Sequence, residues 1–480
     1  MMPTRFRWVF CQLETLRYCL PQSVRRTLNE LPESLDETYE RVVMEIKRAS
    51  QVHAYRMLQC LAVAIRPLSV AELAELLAFD FDVANAGTPK LNPDWRWEDH
   101  EEAVLSTCSS LITIIPGHGS SVVQFSHFSV KEFLMSDRLA ASTQDIAQYH
   151  IALEDAHTVL AQASLGVLLR DDSEVTNSAD STLARYAAEH WVTHAQVENV
   201  AFRVRNGMEN LFDPEKPYFE AWVQLHDADS ETSGKDTASQ EPAAKQVYYT
   251  ALCGFVEVVD HLTLKYPQCA SVSGGRCGTA LHAASFSGHL QVVRLLLRHG
   301  VHVDIRDYAG RTPLRFASQL GRGDVVRYLI DHGANVNAKA GDQNTPLNWA
   351  AYGGHVDVVR MLLEHNADVH TADHHGRTPL LDAIWGDDPR GDYFQVVRLL
   401  LDHGSDVKAR DSQNRNPLHL LSCLFIRQNK LDVLRILLEH GADVDAEDED
   451  GRTPLQVALW HKQGEIARVL SEFCSVRAQT

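Results

Sequence analysis

The 480-residue sequence predicts a mainly α-helical protein in two parts: an N-terminal helical module that includes a β-hairpin, and a C-terminal solenoid of stacked helix pairs. Three observations carry this. A pattern returns every 33 residues toward the C-terminal end, with threonines at 279, 312, 345 and 378. Within each copy, apolar residues recur at helical spacing on both sides of a turn. In the first half, three helix-like stretches run into two strand-like ones. A period of this length marks supersecondary units that bury their apolar faces only by stacking on one another.

Residues 1–52 read as a helical segment. Its start is apolar (Phe6, Trp8, Val9, Phe10, Leu13, Leu16), and Ser34-Leu35-Asp36-Glu37 is a capping box opening a helix with Tyr39, Val42, Val43 and Ile46 on one face. Residues 53–138 read as a compact mixed unit. A helix from His53 to Ile65 stops at Pro67, Ser69 caps a second over Leu73 to Phe79, and a third runs from about Glu98 to Ser109. Leu111 to Ile115 and Val122 to His127 are strand-like around Pro116-Gly117-His118-Gly119, and Ser129-Val130-Lys131-Glu132 reads as another capping box. Three helices followed by a hairpin predict a winged helix.

Residues 139–226 read as helical, with Leu160, Leu165, Val167, Leu168, Trp191, Phe219 and Trp222 as core. Residues 227–246 contain no large aliphatic or aromatic side chain and predict a disordered linker. Residues 247–480 form the repeat domain, with six or seven units and atypical first and last copies.

Each repeat is legible from its residues. Thr before Pro starts a helix, because the hydroxyl caps a free N–H and Pro occupies a position that needs none. A Gly turn leads to a second helix, such as Val292, Val293, Leu295, Leu296 and Leu297, which ends at Gly300, Gly333, Gly404 or Gly441, with Asn366 as the substitute in one copy. The steps to Asn416-Pro417 and Thr453-Pro454 are 38 and 37 residues, so the insertions near 387–394 and 423–430 fall in the helix–helix turn. Thr-Pro-Leu, with His following in Thr279-Ala280-Leu281-His282 and Asn416-Pro417-Leu418-His419, together with Gly-His and Leu-Leu-Leu-x-x-Gly at this step, resembles ankyrin repeats. The resemblance implies helix pairs with β-hairpin fingers that bind proteins on the fingers and the inner helices.

A second resemblance covers roughly residues 5–225. Phe6-Arg7-Trp8, Leu31 to Tyr39, Arg66-Pro67-Leu68, Cys108 to Leu111, His127 to Leu134 and Tyr186 to Trp191 are similar to fungal NACHT–ankyrin proteins, in the part after the nucleotide-binding module that includes a GPI inositol-deacylase-like winged helix. The P-loop GxxxxGK[ST] of that preceding module is not found here; Ser233-Gly234-Lys235-Asp236 is the nearest fragment. The resemblance therefore implies a family member without its NTPase module, or a truncated signalling NTPase whose module lies upstream.

A formal net charge of −19 argues against nucleic acid or an anionic membrane as partner, and Asp99, Glu101 and Glu102 give the third helix the wrong sign for phosphates. No apolar run is long enough to span a membrane. Nine scattered cysteines without a CxxC pair fit a reducing, cytoplasmic setting, with a nuclear location also compatible. No GxSxG elbow occurs, His190 and His194 lack the Glu of HExxH, and His374-His375 falls at a finger tip. No catalytic residue, cofactor or metal is predicted.

The positive signal lies in the stack. Seven residues after each Thr, or after Asn416, stand Phe286, Gln319, Tyr352, Trp385, Cys423 and Trp460. By resemblance to ankyrin proteins this row lines the concave groove, and exposed aromatics favour partner contacts. Arg311, Arg377, Arg415 and Arg452 recur before the Thr site, and Arg306, Lys339 and Arg410 in the fingers, whereas Glu447, Glu449 and Asp450 reverse the sign at the last one. Such a row could steer an acidic segment. The expected function is non-enzymatic protein binding in NACHT-type signalling; a winged-helix nucleic-acid regulator is the weaker alternative.

Overall fold

The computed structural model describes residues 34–81, 88–96, 99–108, 110–117, 120–170, 182–229, 242–386, 389–423 and 430–477. The apolar start, the Ser233-Gly234-Lys235-Asp236 fragment and positions 230–241 of the expected linker lie outside them. The chain divides into two compact units, 1–228 and 229–480. The ends of the expected linker belong to folded structure. Asp229 is buried, and a helix already runs from Pro242 to Cys253. Tyr248 donates to Asp229 Oδ1 at 2.7 Å while Arg276 N–H donates to Oδ2 at 2.8 Å, so this carboxylate closes the first turn of the stack. Composition alone could not show a single Asp recruited from a polar run.

In the N-terminal unit the helix Leu35–Met44 precedes helices Gln51–Val63, Val70–Leu77 and His100–Cys108. Strands Ile112–Ile115 and Val122–Phe125 pair antiparallel, and the short strand Leu68–Ser69 adds beside the latter, Leu68 opposite Val123. This is the helix–strand–helix–helix–hairpin order of a winged helix. Ser69 and Glu72 form the expected reciprocal cap, and Glu72 also takes Arg66 at 2.6 Å.

Ser129 does not cap. His127 is the N-cap of the helix Phe128–Leu134, and the Ser129 hydroxyl lies 2.8 Å from that of Tyr39 and 2.6 Å from His127 Nδ1. A buried tyrosine hydroxyl needs a partner more than the helix needed a second capping candidate. The core expected for the following helices is in place. Trp191 and Trp222 meet edge to face at 5.5 Å, Phe212 and Phe219 complete the cluster, and Trp222 Nε1 donates to Ala188 O at 3.1 Å.

Among the described residues the C-terminal unit holds seven helix pairs. Their inner helices are Pro242–Cys253, Ala280–Ser287, Pro313–Gln319, Pro346–Tyr352, Pro379–Trp385, Pro417–Cys423 and Pro454–Trp460, numbered here as repeats I to VII. Consecutive inner helices pack on one another, as do consecutive outer ones. Thr312, Thr345 and Thr453 cap the N–H three residues on, and Asn416 does the same for His419. Thr378 makes no such bond. Outer helices close in the left-handed region, at Gly300, Gly333, Gly404, Gly441 and, with φ 62°, Asn366.

In three repeats the residue after the turn glycine ties two repeats together, and in repeat V Tyr393, two residues after Gly391, does the same. His289 Nε2 donates to Leu252 O, Arg322 Nε to Phe286 O, His355 Nε2 to Gln319 O and the Tyr393 hydroxyl to Tyr352 O, at 3.0, 3.2, 3.0 and 3.1 Å. Each supplies a donor to an otherwise open C-terminal carbonyl of the preceding inner helix. The longer repeats carry their extra residues between inner and outer helix, from Trp385 to Tyr393 and from Cys423 to Lys430. Residues 387–388 and 424–429 lie outside the described chain.

Candidate functional site

The fingers are tight turns. Asp307 N–H donates to Arg311 O, the Asp307 carboxylate accepts N–H from Ala309 and Arg311, and Arg311 Nε reaches its other oxygen at 2.5 Å. The same Asp-x-x-x-Arg brace recurs in Asp373–Arg377, Asp411–Arg415 and Asp448–Arg452. Fingers also join through the backbone, Gly341 N to Ala309 O, Ser412 N to His375 O and Glu449 N to Gln413 O.

The braces correct the reading of the arginine row as a line of recognition charges. Arg311, Arg377, Arg415 and Arg452 each neutralise the aspartate four residues earlier, and Arg311 is only 9% exposed. Arg306 and Arg410 stay exposed but bond finger carbonyls, Arg306 to Gly310 O and Lys339 O, Arg410 to Glu447 O. Lys339 is exposed. His374 of the tip pair lies 2.6 Å from Gly341 O on the neighbouring finger.

The row expected to line the groove is set by helix geometry. Gln319, Tyr352, Trp385 and Cys423 end their inner helices half-buried, as does Phe286 one residue before the end of its own, and Trp460 is 73% exposed. One turn earlier on the same face comes a row not singled out from the sequence: Ala283, Phe316, Trp349, Asp382, Leu420 and Val457. The two rows meet most productively in repeats IV and V. There Asn344, Asn348, Trp349, Tyr352, Arg377, Asp382 and Trp385 line an open cleft of about 200 Å³.

The cleft has aromatic walls and a polar floor. Trp349 and Tyr352 sit at 69° with centroids 5.9 Å apart, and Arg315 and Arg415 stack at 4.4 and 5.4 Å over Trp349 and Trp385. Asp382 is buried and accepts from Asn348 Nδ2 at 2.8 Å, with Arg377 at 3.6 Å. Burial pushes the Asp382 carboxyl up to about 7, against the opposing pull of Asn348 and Arg377. The Trp349 indole N–H is buried with no acceptor among the described residues.

A signal for this site was present in the sequence. Asn348 stands where repeats II and VI have His282 and His419, whose Nε2 atoms bond Arg311 O and Arg452 O. Asp382 stands where most copies have an apolar residue. Departures from the repeat pattern in two adjacent units mark the place where packing has been exchanged for polar chemistry.

In the N-terminal unit His194 is fully buried, its Nδ1 2.8 Å from His157 Nδ1 and its Nε2 2.9 Å from the Tyr186 hydroxyl, with His190 against the same tyrosine. Burial, then His157 and His190, lowers its pKa to about 3. The folded value lies below the ordinary one, so the unfolded chain binds more protons as pH falls through 6.5. This unit is expected to lose about 2 kcal/mol of stability between pH 8 and pH 5. Urea titrations at the two pH values check this, and His194→Gln should remove most of the difference.

The sequence matches "Ankyrin repeats (3 copies)" over 247–340, 339–411 and 389–480, and "GPI inositol-deacylase, winged helix domain" over 39–145. It is 28% identical over 296 residues to the "Azaphilone pigments biosynthesis cluster protein L" of Monascus ruber, an alignment covering 58% of this chain and 61% of that relative's length. Among solved structures, the ankyrin repeat domain of Bcl-3, described as a unique member of the IkappaB protein family, is 27% identical with a TM-score of 0.38, over 47% of this chain and 95% of that one. Among the described residues no helix is long and apolar enough to cross a membrane.

Proposed function

We propose, from the premise that the chain is a winged-helix and ankyrin-repeat protein, that it is a non-enzymatic adaptor holding a protein partner in the groove of repeats IV and V. Ankyrin repeats support protein binding. The cleft of Trp349, Tyr352 and Trp385 over Asn348 and Asp382 supports the location. Rings that are half-buried before binding lose little freedom when covered, and a buried polar floor selects a partner able to satisfy it.

The N-terminal half acts in this reading as the docking or regulatory module of NACHT-type signalling in the cytoplasm. The winged-helix match and the reduced cysteines among the described residues support it. The exposed Glu101 and Glu102 at the start of the third winged-helix helix disfavour nucleic acid. The test is capture from an extract by the full chain, wild type against a Tyr352→Ala/Trp385→Ala variant. Prey retained equally by both would contradict the groove assignment.

A further inference from the structure

The Trp460 side chain is the most exposed of its row, at 73%, and it stands over a second, separate cleft of about 270 Å³ in repeat VII. Val457, Cys423 and His419 form one side, and the last finger forms the rim through Asp448, Glu449 and Asp450. That finger is the most acidic. Residues 442–450 hold six carboxylates and no lysine or arginine, whereas the fingers at 303–310, 336–343 and 406–414 each contain one or two basic residues and the finger at 369–376, which also lacks lysine and arginine, holds one carboxylate.

Not all of these carboxylates are available. Asp448 and Asp450 are paired with Arg452, and Asp443 lies 3.8 Å from Arg410. Glu447 and Glu449 are exposed and make no ion pair among the described residues. The lining includes the guanidinium groups of Arg415 and Arg452, but Asp411 and Asp448 already neutralise them. An open indole face lining the same cleft as the unpaired Glu449, with the exposed Glu447 two residues away on that finger, is complementary to a cation on a flexible stem.

We propose that the Trp460 cleft docks an arginine-rich segment of the protein partner. One guanidinium lies on the indole of Trp460, and neighbouring basic side chains pair with Glu449 and Glu447. Planar guanidinium stacks on an aromatic face better than a strongly hydrated ammonium does, which favours arginine over lysine. The inference deepens the reading of the stack as a partner-binding surface and rests on it. It places a basic clamp one end away from the aromatic groove of repeats IV and V.

The test uses the full chain and a short fluorescein-labelled arginine–serine repeat peptide, followed by anisotropy, with the glutamate–serine counterpart as control. Saturable binding of the arginine peptide alone is expected. Trp460→Ala and Glu449→Gln should each weaken it about tenfold, since both side chains are exposed and outside the core. Tyr352→Ala should leave it within about twofold, because that ring lines the other cleft only. The inference is overturned by absent binding, by equal binding to Trp460→Ala, by an equal loss in the groove variant, or by equal affinity for the glutamate peptide. If the peptide fails while partner capture still depends on Tyr352 and Trp385, only the basic clamp falls and the groove assignment stands.

Discussion

Tyr352→Ala/Trp385→Ala is expected to weaken partner capture by at least about 100-fold while leaving the stack folded, if each ring contributes the 2 kcal/mol or so typical of a central aromatic. Both residues end inner helices on the open side, so truncation leaves the buried Leu347, Leu380 and Ile384 of the same helices in place. The measurement is quantitative capture at matched protein concentration, with circular dichroism as the folding control. Asp382→Asn separates the floor from the walls. It retains a hydrogen-bonding group beside Asn348 but cannot become charged, so binding by this variant should lose any dependence on pH near 7. Arg377, Asp373 and Asp342 also act on Asp382, and Arg315 pairs with Asp342, so the titration belongs to this network and not to one isolated acid.

Arg311→Ala is expected to destabilise the repeat unit by about 3 kcal/mol, or some 6–12 °C in thermal melting. The Asp307 carboxylate is fully covered, and removing its partner leaves a buried charge held by backbone N–H groups alone. The guanidinium also stacks on Phe316 at 4.7 Å, so packing is lost together with charge. Arg452→Ala should cost about 1 kcal/mol or less, because that side chain is 37% exposed and its pair is screened by solvent. Equal small effects for the two variants would contradict the structural role given to the braces. A free recognition charge at Arg311 would instead leave melting unchanged and change binding.

Much of the stack was legible because its determinants are local. A threonine hydroxyl and a proline set a helix start within four residues, and a left-handed glycine sets the end, so Thr312, Thr345, Gly333 and Asn366 read correctly one at a time. The winged helix was legible for the same reason, through Ser69 with Glu72 and the alternation of its hairpin. What escaped depends on neighbours distant in sequence. Ser129 had the spacing of a cap, but its hydroxyl answers Tyr39, ninety residues earlier. Asp229 sat in a polar run and is consumed by Tyr248 and Arg276.

The finger arginines show a different kind of gap. Asp four residues before Arg is visible in the sequence at 307 and 311, 373 and 377, 411 and 415, and 448 and 452. A turn places those two side chains together as firmly as a helix would, and the spacing alone does not distinguish that internal pairing from a row of charges that steers an acidic segment. The groove was half legible. Tyr352 and Trp385 follow from their offset after the Thr site, whereas Trp349 and Asp382 occupy an offset that other repeats fill with core residues. Only the packing of repeat IV on repeat V shows that this offset opens onto the cleft.

Photo-cross-linking tests the central claim most directly. Tyr352 is replaced by p-benzoylphenylalanine in the full chain, and Arg327, exposed on the outer helix of repeat III, is replaced in the same way as the control. Irradiation in extract is expected to join a discrete polypeptide to position 352 and not to position 327. A product formed at 327 alone, or at both positions equally, would place the partner away from the groove and contradict the account.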